Sequence, residues 1–194
     1  MNSKPLFAVV LAAGTSSRFG ALKQLACYEG MHLVCRAVRL AENVCREHSV
    51  LVTGHHWQEV HKACAPLRGF LINNNAFEAG MAGSIACGVR TIAETAGAVF
   101  LLLADQPLIS AEYLQQMINE WDESTESIVC SEFGGACGPP VIFPAKYFTE
   151  LVQLKGDQGA RFLLETHAEC VVRLPCENAA IDIDVPTDLA KLNS

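Results

Sequence analysis

Between Leu11 and Leu25 the chain reads L-A-A-G-T-S-S-R-F-G-A-L-K-Q-L. Gly14 permits unusual φ/ψ and lets backbone N–H groups approach an anion without a Cβ in the way. The main chain of Leu11, Ala12, Ala13 and Gly14 and the hydroxyls of Thr15, Ser16 and Ser17 supply hydrogen-bond donors. Arg18 and Lys23 add two cations within the same loop. Together these describe a polyphosphate cradle, with backbone donors for the inner phosphates and the cations for the outer ones. The same residues also suit a plain Gly-Ser loop with two surface cations. The loop's place directly after an apolar run favours the cradle. The spacing is neither a Walker A motif nor G-x-G-x-x-G.

Two acidic stretches are the other chemical candidates. Asp105 follows an apolar run in L-L-L-A-D-Q-P. A carboxylate there must be exposed, paired or bound to a cation, so it reads either as a turn or cap residue before Pro107 or as a Mg²⁺ ligand. Asp182 and Asp184 alternate in I-D-I-D-V-P-T-D, which predicts that they share one face of a strand. Asp188 falls in the first turn of a helix opened by Pro186 and reads as structural. His55, His56 and His61 lack a metal-ligand spacing. Asn74–Ser84 is rich in glycine and turn formers before a helix predicted at Gly83–Ala93. Gly83 and Ser84 therefore read either as an anion site at a helix N-terminus or as a simple cap. Asp157 reads as an N-cap or a substrate contact, and Arg161 as a phosphate contact or an ion-pair partner.

The elements that position these residues follow from apolar patterning. Leu6–Leu11, Ser49–Thr53, Phe70–Asn73 and Ala98–Leu103 are short apolar runs typical of strands buried on both faces. Further strands are predicted at Ser127–Ser131, Pro140–Phe143 and Cys170–Leu174, and a glycine loop at Gly134–Gly138. Helical spacing runs from Leu33 to Val44, at Trp57–Ala65, from Ser110 to Trp121 with Ser110 as N-cap, and at Gln158–Thr166. Strands alternating with helices predict an α/β fold with a mostly parallel sheet covered by helices. Ligands of such sheets bind beyond the carboxyl ends of the strands, where the loop after Leu11, the turn at Thr53–Gly54 and Asp105 all fall.

The length of 194 residues fits one domain. A net charge of −7 argues against nucleic acid and anionic membranes as partners. No uninterrupted apolar stretch reaches the roughly 18 residues of a membrane span, and Met1–Lys4 runs into β-type sequence without a signal-peptide pattern. A cytoplasmic protein is expected. The nine cysteines form no C-x-x-C unit, so free thiols are expected, most of them buried, with Cys137 the most exposed.

The pattern L-A-A-G-x-x-x-R-F-G-x-x-K-Q-L resembles the signature of the nucleotidyltransferases that attach a nucleotide to the molybdenum cofactor. It is nearest the cytidylyltransferase (MocA-type) branch, with the guanylyltransferase (MobA-type) branch as its relative. Asp105-Gln106-Pro107, the D-x-D-x-P-x-D run at 182–188 and L-x-G-D-x-G-A-R at 154–161 resemble family segments in the same order. So does Asn74–Ser84, with Asn75 where proline is usual and Phe77 where tryptophan is usual. Gly134–Val141 does too, with Pro139 where His or Asn is common. The resemblance runs from Leu11 to Leu189. It implies a three-layer Rossmann-like nucleotidyltransferase fold, with residues 1–194 as one MobA-like NTP transferase domain. It implies transfer of CMP from CTP to the terminal phosphate of molybdopterin, with pyrophosphate released and molybdopterin cytosine dinucleotide formed.

By the resemblance Arg18, Lys23 and Asp105 are catalytic. The Leu11–Arg18 loop, Lys23, Thr53, Gly54, Asn74, Gly80, Met81, Ser84, Asp105 and Gln106 bind the nucleotide. Asp105 and Asp184 hold Mg²⁺, with Asp182 in support, and the loops at 134–141 and 154–161 lie on the pterin side. The implied partners are the NTP, the pterin cofactor and, transiently, a molybdoenzyme or its chaperone. The CTP preference rests on L-A-A-G and D-Q-P. The alternatives are a guanylyltransferase or another nucleotidyltransferase with a different phosphorylated acceptor, and a sugar transferase, which would carry D-x-D where Asp105-Gln106-Pro107 stands. A non-catalytic nucleotide sensor or cofactor chaperone is a further alternative, against which the intact set of Arg18, Lys23, Asp105 and Asp184 argues.

Overall fold

The apolar runs pair into a seven-stranded sheet. The computed structural model describes residues 4–16, 18–121, 126–156 and 159–192. In chain order the elements are β1 (Leu6–Ala12), β2 (Cys27–Tyr28), β3 (Met31–His32), α1 (Leu33–Cys45), β4 (Ser49–Thr53), α2 (Trp57–Cys64), β5 (Phe70–Asn73) and α3 (Gly80–Ile92). There follow β6 (Ala98–Leu103), α4 (Ala111–Glu120), β7 (Ile128–Phe133), β8 (Ala136–Pro144), α5 (Phe148–Gln153), α6 (Ala160–Thr166), β9 (Val171–Pro175) and α7 (Pro186–Leu192). The sheet order is β5-β4-β1-β6-β8-β7-β9, and β2 and β3 form a separate ribbon. β1 pairs parallel with β4 and β6, β4 with β5, and β7 with β9; only β8 runs against its neighbours. No helix among the described residues is long and apolar enough to cross a membrane.

Strand alternation explains the layers. Val9, Val52, Val99 and Leu101 face one side, where Ile85, Val89 and Ile92 of α3 and Leu151 of α5 cover them. Ala8, Val10, Leu51, Phe100 and Leu102 face the other, against Val34 and Ala41 of α1 and Leu114 and Met117 of α4. Both faces are therefore dry, which is why these strands read as unbroken apolar runs. Phe100 and Phe143 are fully buried, and truncating either to alanine should cost about 3–5 kcal/mol. The predicted cap of α4 is present: Tyr113 N–H donates to Ser110 Oγ at 3.2 Å.

Several expectations need correction. α3 begins at Gly80, three residues early, so Ser84 lies inside the helix, buried, and neither Gly83 nor Ser84 marks its N-terminus. Residues 181–184 form no strand. Only Ile183 is buried there, in a small cluster with Tyr28 and Leu33, and its N–H donates to the Asp105 carbonyl at 3.0 Å. Alternation reported a buried contact, not a ladder. The Gly134–Gly138 loop shrinks to a tight turn, and Cys137 and Gly138 pair within β8. Only Cys45 and Cys130 are buried; Cys27 is the exposed cysteine and Cys137 is half-buried, because β8 carries it against the core. All nine cysteines are free thiols.

Candidate active site

The carboxyl ends of β1 and β6 meet at a cleft. Ala104 N–H donates to the Leu11 carbonyl at 3.2 Å, and the Asp105 carbonyl receives Ile183, so the strand ends and the 181–184 segment are tied together. A cavity of about 390 Å³ opens above them, lined by Leu11–Thr15, Lys23, Gln24, Met81, Ser84 and Asp105 among others. A second cavity of about 280 Å³ shares the Ala12–Thr15 wall and is closed by Gly54, His55, His56 and Phe77. Gly54 is required by close approach: a Cβ there would stand 2.8 Å from the Ala13 carbonyl oxygen and 3.0 Å from Phe77 Cβ.

The loop after β1 is held by its own far end. A short 3₁₀ turn, Lys23–Leu25, swings back under the loop. From it the buried Gln24 donates Nε2 to the carbonyls of Ala12 at 3.1 Å and Gly14 at 2.7 Å, while its Oε1 accepts from Ser16 Oγ at 2.9 Å. Ser16 Oγ in turn accepts from Lys23 N–H at 3.0 Å. Ser16 is, among the described residues of this loop, the non-glycine one with a left-handed φ (55°), a cost of about 1–2 kcal/mol that these bonds offset. Gly14 does not adopt such a conformation, and a Cβ on it would meet nothing closer than 3.8 Å, so its predicted conformational role moves to Ser16.

The electrostatic centre is a triad of Lys23, Asp105 and Asp184. Lys23 Nζ lies 2.7 Å from Asp105 Oδ2 and 3.1 Å from Asp184 Oδ1. Burial alone would lower the lysine pKa, but the charge of Asp105 and the hydrogen bonds to both carboxylates outweigh it and raise the pKa. Asp182 is exposed as a residue, but its carboxyl is pushed up to about 6 by local desolvation and then by the charge of Asp105, against a hydrogen bond with Gln106. Asp188 Oδ2 accepts from Asp184 N–H at 3.1 Å and Val185 N–H at 3.0 Å, which fixes the turn carrying Asp184.

Among the described residues no three His, Cys, Asp or Glu side chains close on one point as a metal cage. Two hard oxygen donors already facing one cation nevertheless fit a divalent ion whose remaining ligands are phosphate and water, the usual Mg²⁺ arrangement.

A model of the MobA-like NTP transferase domain matches residues 8–171. The chain belongs to this family. The purine catabolism protein PucB of Bacillus subtilis is 32% identical over 97% of this chain and 96% of its own. A probable molybdenum cofactor guanylyltransferase of Thermococcus sibiricus is 25% identical, covering 96% of this chain and 97% of its own. The molybdenum cofactor cytidylyltransferase of Escherichia coli is 22% identical, covering 93% of this chain and 91% of its own. The crystal structure of Rv0371c from Mycobacterium tuberculosis H37Rv superposes with a TM-score of 0.83 at 27% identity, covering 99% of this chain and 98% of that one. The expected α/β nucleotidyltransferase fold is thus present, and membership makes the protein a nucleotidyltransferase by family.

The fold gathers most of the residues singled out in the sequence. Leu11–Thr15, Lys23, Gly80, Met81, Ser84 and Asp105 line the larger cavity, and Gly54 the smaller. Arg18 is exposed on the turn beyond Ser16 and lines neither cavity. Ser17 and Asp157 lie outside the described residues.

Three expected nucleotide contacts have partners within the protein. Thr53 is fully buried and donates Oγ1 to the Ile72 carbonyl at 3.1 Å. Asn74 is buried, donating Nδ2 to Ser84 Oγ at 3.3 Å and accepting at Oδ1 from Ala76 N–H at 3.0 Å. Gln106 is buried with Nε2 on the carbonyls of Pro139 (3.2 Å) and Ala179 (2.8 Å). Thr53 thereby ties β4 to β5, Asn74 ties its own turn to α3, and Gln106 ties the segment after β6 to the chain at Pro139 and Ala179. Arg161 pairs with Glu165 at 3.0 Å, the ion-pair alternative. Gln24, His55, Phe77 and Glu78 are lining residues that received no role in the sequence reading. Gln24 carried a signal as the residue beside Lys23 in K-Q-L, and Phe77 as the residue at the tryptophan position of the Asn74–Ser84 segment.

Proposed function

We propose that the protein transfers CMP from CTP to the terminal phosphate of molybdopterin, releasing pyrophosphate and forming molybdopterin cytosine dinucleotide. The observation that carries this reading is the Lys23–Asp105–Asp184 cluster at the mouth of a loop of backbone donors. The triphosphate lies along the Leu11–Thr15 main chain, and Arg18, exposed beyond Ser16, is the cation offered to its outer phosphates. The acceptor's phosphate oxygen attacks the α-phosphorus in line, and the bond from that phosphorus to the α,β-bridging oxygen breaks. Lys23 neutralises charge on the departing pyrophosphate. Asp105 and Asp184 would hold a Mg²⁺ ion, which when bound would supply neutralising charge to the triphosphate. No covalent enzyme intermediate is needed, so positioning and charge account for the rate.

CTP rather than GTP is favoured by the L-A-A-G and D-Q-P segments. Relatives bearing guanylyl and cytidylyl names stand at 25% and 22% identity, too close together to separate the donors. Incubating the protein with molybdenum cofactor, Mg²⁺ and each of the four NTPs, with the product identified by mass, tests the reading. CTP should give the cytosine dinucleotide and pyrophosphate. Turnover only with GTP overturns the donor, and turnover with none overturns the acceptor. Asp105→Asn should abolish turnover.

A further inference from the structure

We propose that Lys23 holds the place of the divalent cation in the empty enzyme, and that an incoming triphosphate draws it away, so that metal and nucleotide enter as one event. This rests on the reading that Asp105 and Asp184 are the metal ligands.

Lys23 Nζ is within hydrogen-bond distance of one oxygen from each carboxylate, and only 14% of the lysine side chain is exposed. An ammonium and a divalent ion need the same oxygens there, and their mutual repulsion at that separation excludes both together. The lysine also has a function while it stays: it screens Asp105, Asp182 and Asp184 from one another, which otherwise repel.

The route out is a side-chain motion alone. The backbone of Lys23 is fixed at both ends, its N–H on Ser16 Oγ at 3.0 Å and its carbonyl accepting from Ala26 N–H at 2.9 Å. The flexible four-carbon stem also lines the 390 Å³ cavity, so the same ammonium can turn from carboxylate to phosphate. A triphosphate offers more charge than the two carboxylates, and the vacated oxygens then face the metal. The free protein should therefore bind metal weakly, and removing Lys23 should strengthen metal binding while weakening phosphate binding.

The test uses metal-stripped full-length protein titrated with Mn²⁺ and no nucleotide, with free Mn²⁺ read by electron paramagnetic resonance. Lys23→Met should bind Mn²⁺ about tenfold more tightly than the wild type, the value of one charge-assisted hydrogen bond removed from the competition. Lys23→Gln should do the same, covering a fold defect in either variant. Lys23→Arg should keep the wild-type affinity. Lys4→Met makes the same charge change on an exposed residue at the opposite end of β1 and should leave Mn²⁺ affinity unchanged. Metal-free CTP should bind Lys23→Met about tenfold more weakly than the wild type.

The exchange is overturned if both Lys23 variants bind Mn²⁺ no better than the wild type, if Lys4→Met matches them, or if metal-free CTP is indifferent to Lys23. Adding Asp105→Asn or Asp184→Asn to Lys23→Met separates the two failures. If either weakens Mn²⁺ binding while Lys23 proves irrelevant, the carboxylate metal site stands and only the exchange falls. If neither weakens it, the metal reading itself falls, and the exchange with it.

Discussion

Gln24→Leu should loosen the loop after β1 and lower both stability and nucleotide affinity. The substitution keeps the volume of a side chain that is 4% exposed and removes three hydrogen bonds, two donated to the carbonyls of Ala12 and Gly14 and one accepted from Ser16. At about 1 kcal/mol net for each, the loss is about 3 kcal/mol. For a chain of this size that lowers Tm by about 6–12 °C. Ser16 also loses one of the bonds that hold its left-handed backbone, so the loop no longer has a single preferred path. Gln24→Glu sharpens the expectation. The carboxylate still accepts from Ser16 but cannot donate to the two carbonyls, so near pH 7 the variant should be at least as unstable. Its folded-state pKa is raised, because protonation restores a donor, and its deficit should shrink as the pH falls toward the unfolded value. Thermal melting with a parallel NTP titration checks this. A Gln24→Leu melt within about 2 °C of the wild type refutes the clamp. A lowered Tm with unchanged NTP affinity refutes the link between the clamp and phosphate binding.

Gly54→Ala should cost about 1–3 kcal/mol in denaturant unfolding and weaken nucleotide binding, because its Cβ would stand 2.8 Å from the Ala13 carbonyl oxygen; unchanged values in both assays refute the close approach. Burial pushes the Cys45 thiol up to about 12 from its ordinary 9.0, against a backbone hydrogen bond from Ala8, so its contribution is whole below pH 9 and is lost as the pH rises toward 12. About 1.4 kcal/mol should be gone by pH 10, and Cys45→Ala should flatten that part of the stability–pH curve. Cys35 Sγ and Cys64 Sγ lie 3.2 Å apart, so diamide, which takes up the two thiol hydrogens, should join them before other pairs. Peptide mapping that finds Cys27 or Cys45 crosslinked first contradicts that geometry.

β4, β5 and β6 were legible to the residue because each is an apolar run closed by Gly, Asn or Asp; the sheet buries β4 and β6 on both faces, while β5 lies at its edge with Phe70 exposed. α4 was legible because Ser110 caps it within its own sequence. The start of α3 was not, since Gly80-Met81-Ala82-Gly83 has little helix propensity of its own. It is helical there because tertiary contacts hold it, including Ala82 N–H on the Gly156 carbonyl at 3.1 Å. The protein partners of Thr53, Asn74 and Gln106 were not legible for a related reason. A polar residue at a strand end can face a ligand or close a turn, and both roles use the same donors. The choice depends on which buried backbone acceptors lack partners, and that is settled only by the packed chain.

The placement of charge shows the same division. Arg18 and Lys23 fall within six positions of each other and read as a matched pair for phosphate. The fold separates them. Arg18 points to solvent beyond Ser16, and the Lys23 ammonium turns inward to carboxylates that lie 82 and 161 residues further along the chain. Those sequence distances are why no local pattern predicts the triad. The consequence is chemical. In the empty cleft the lysine charge is already balanced, so the first attraction felt by a triphosphate comes from main-chain N–H groups and Arg18. That gives the two cations different effects on binding: losing Arg18 should slow the capture of nucleotide, whereas losing Lys23 should alter what the captured nucleotide and its metal can displace.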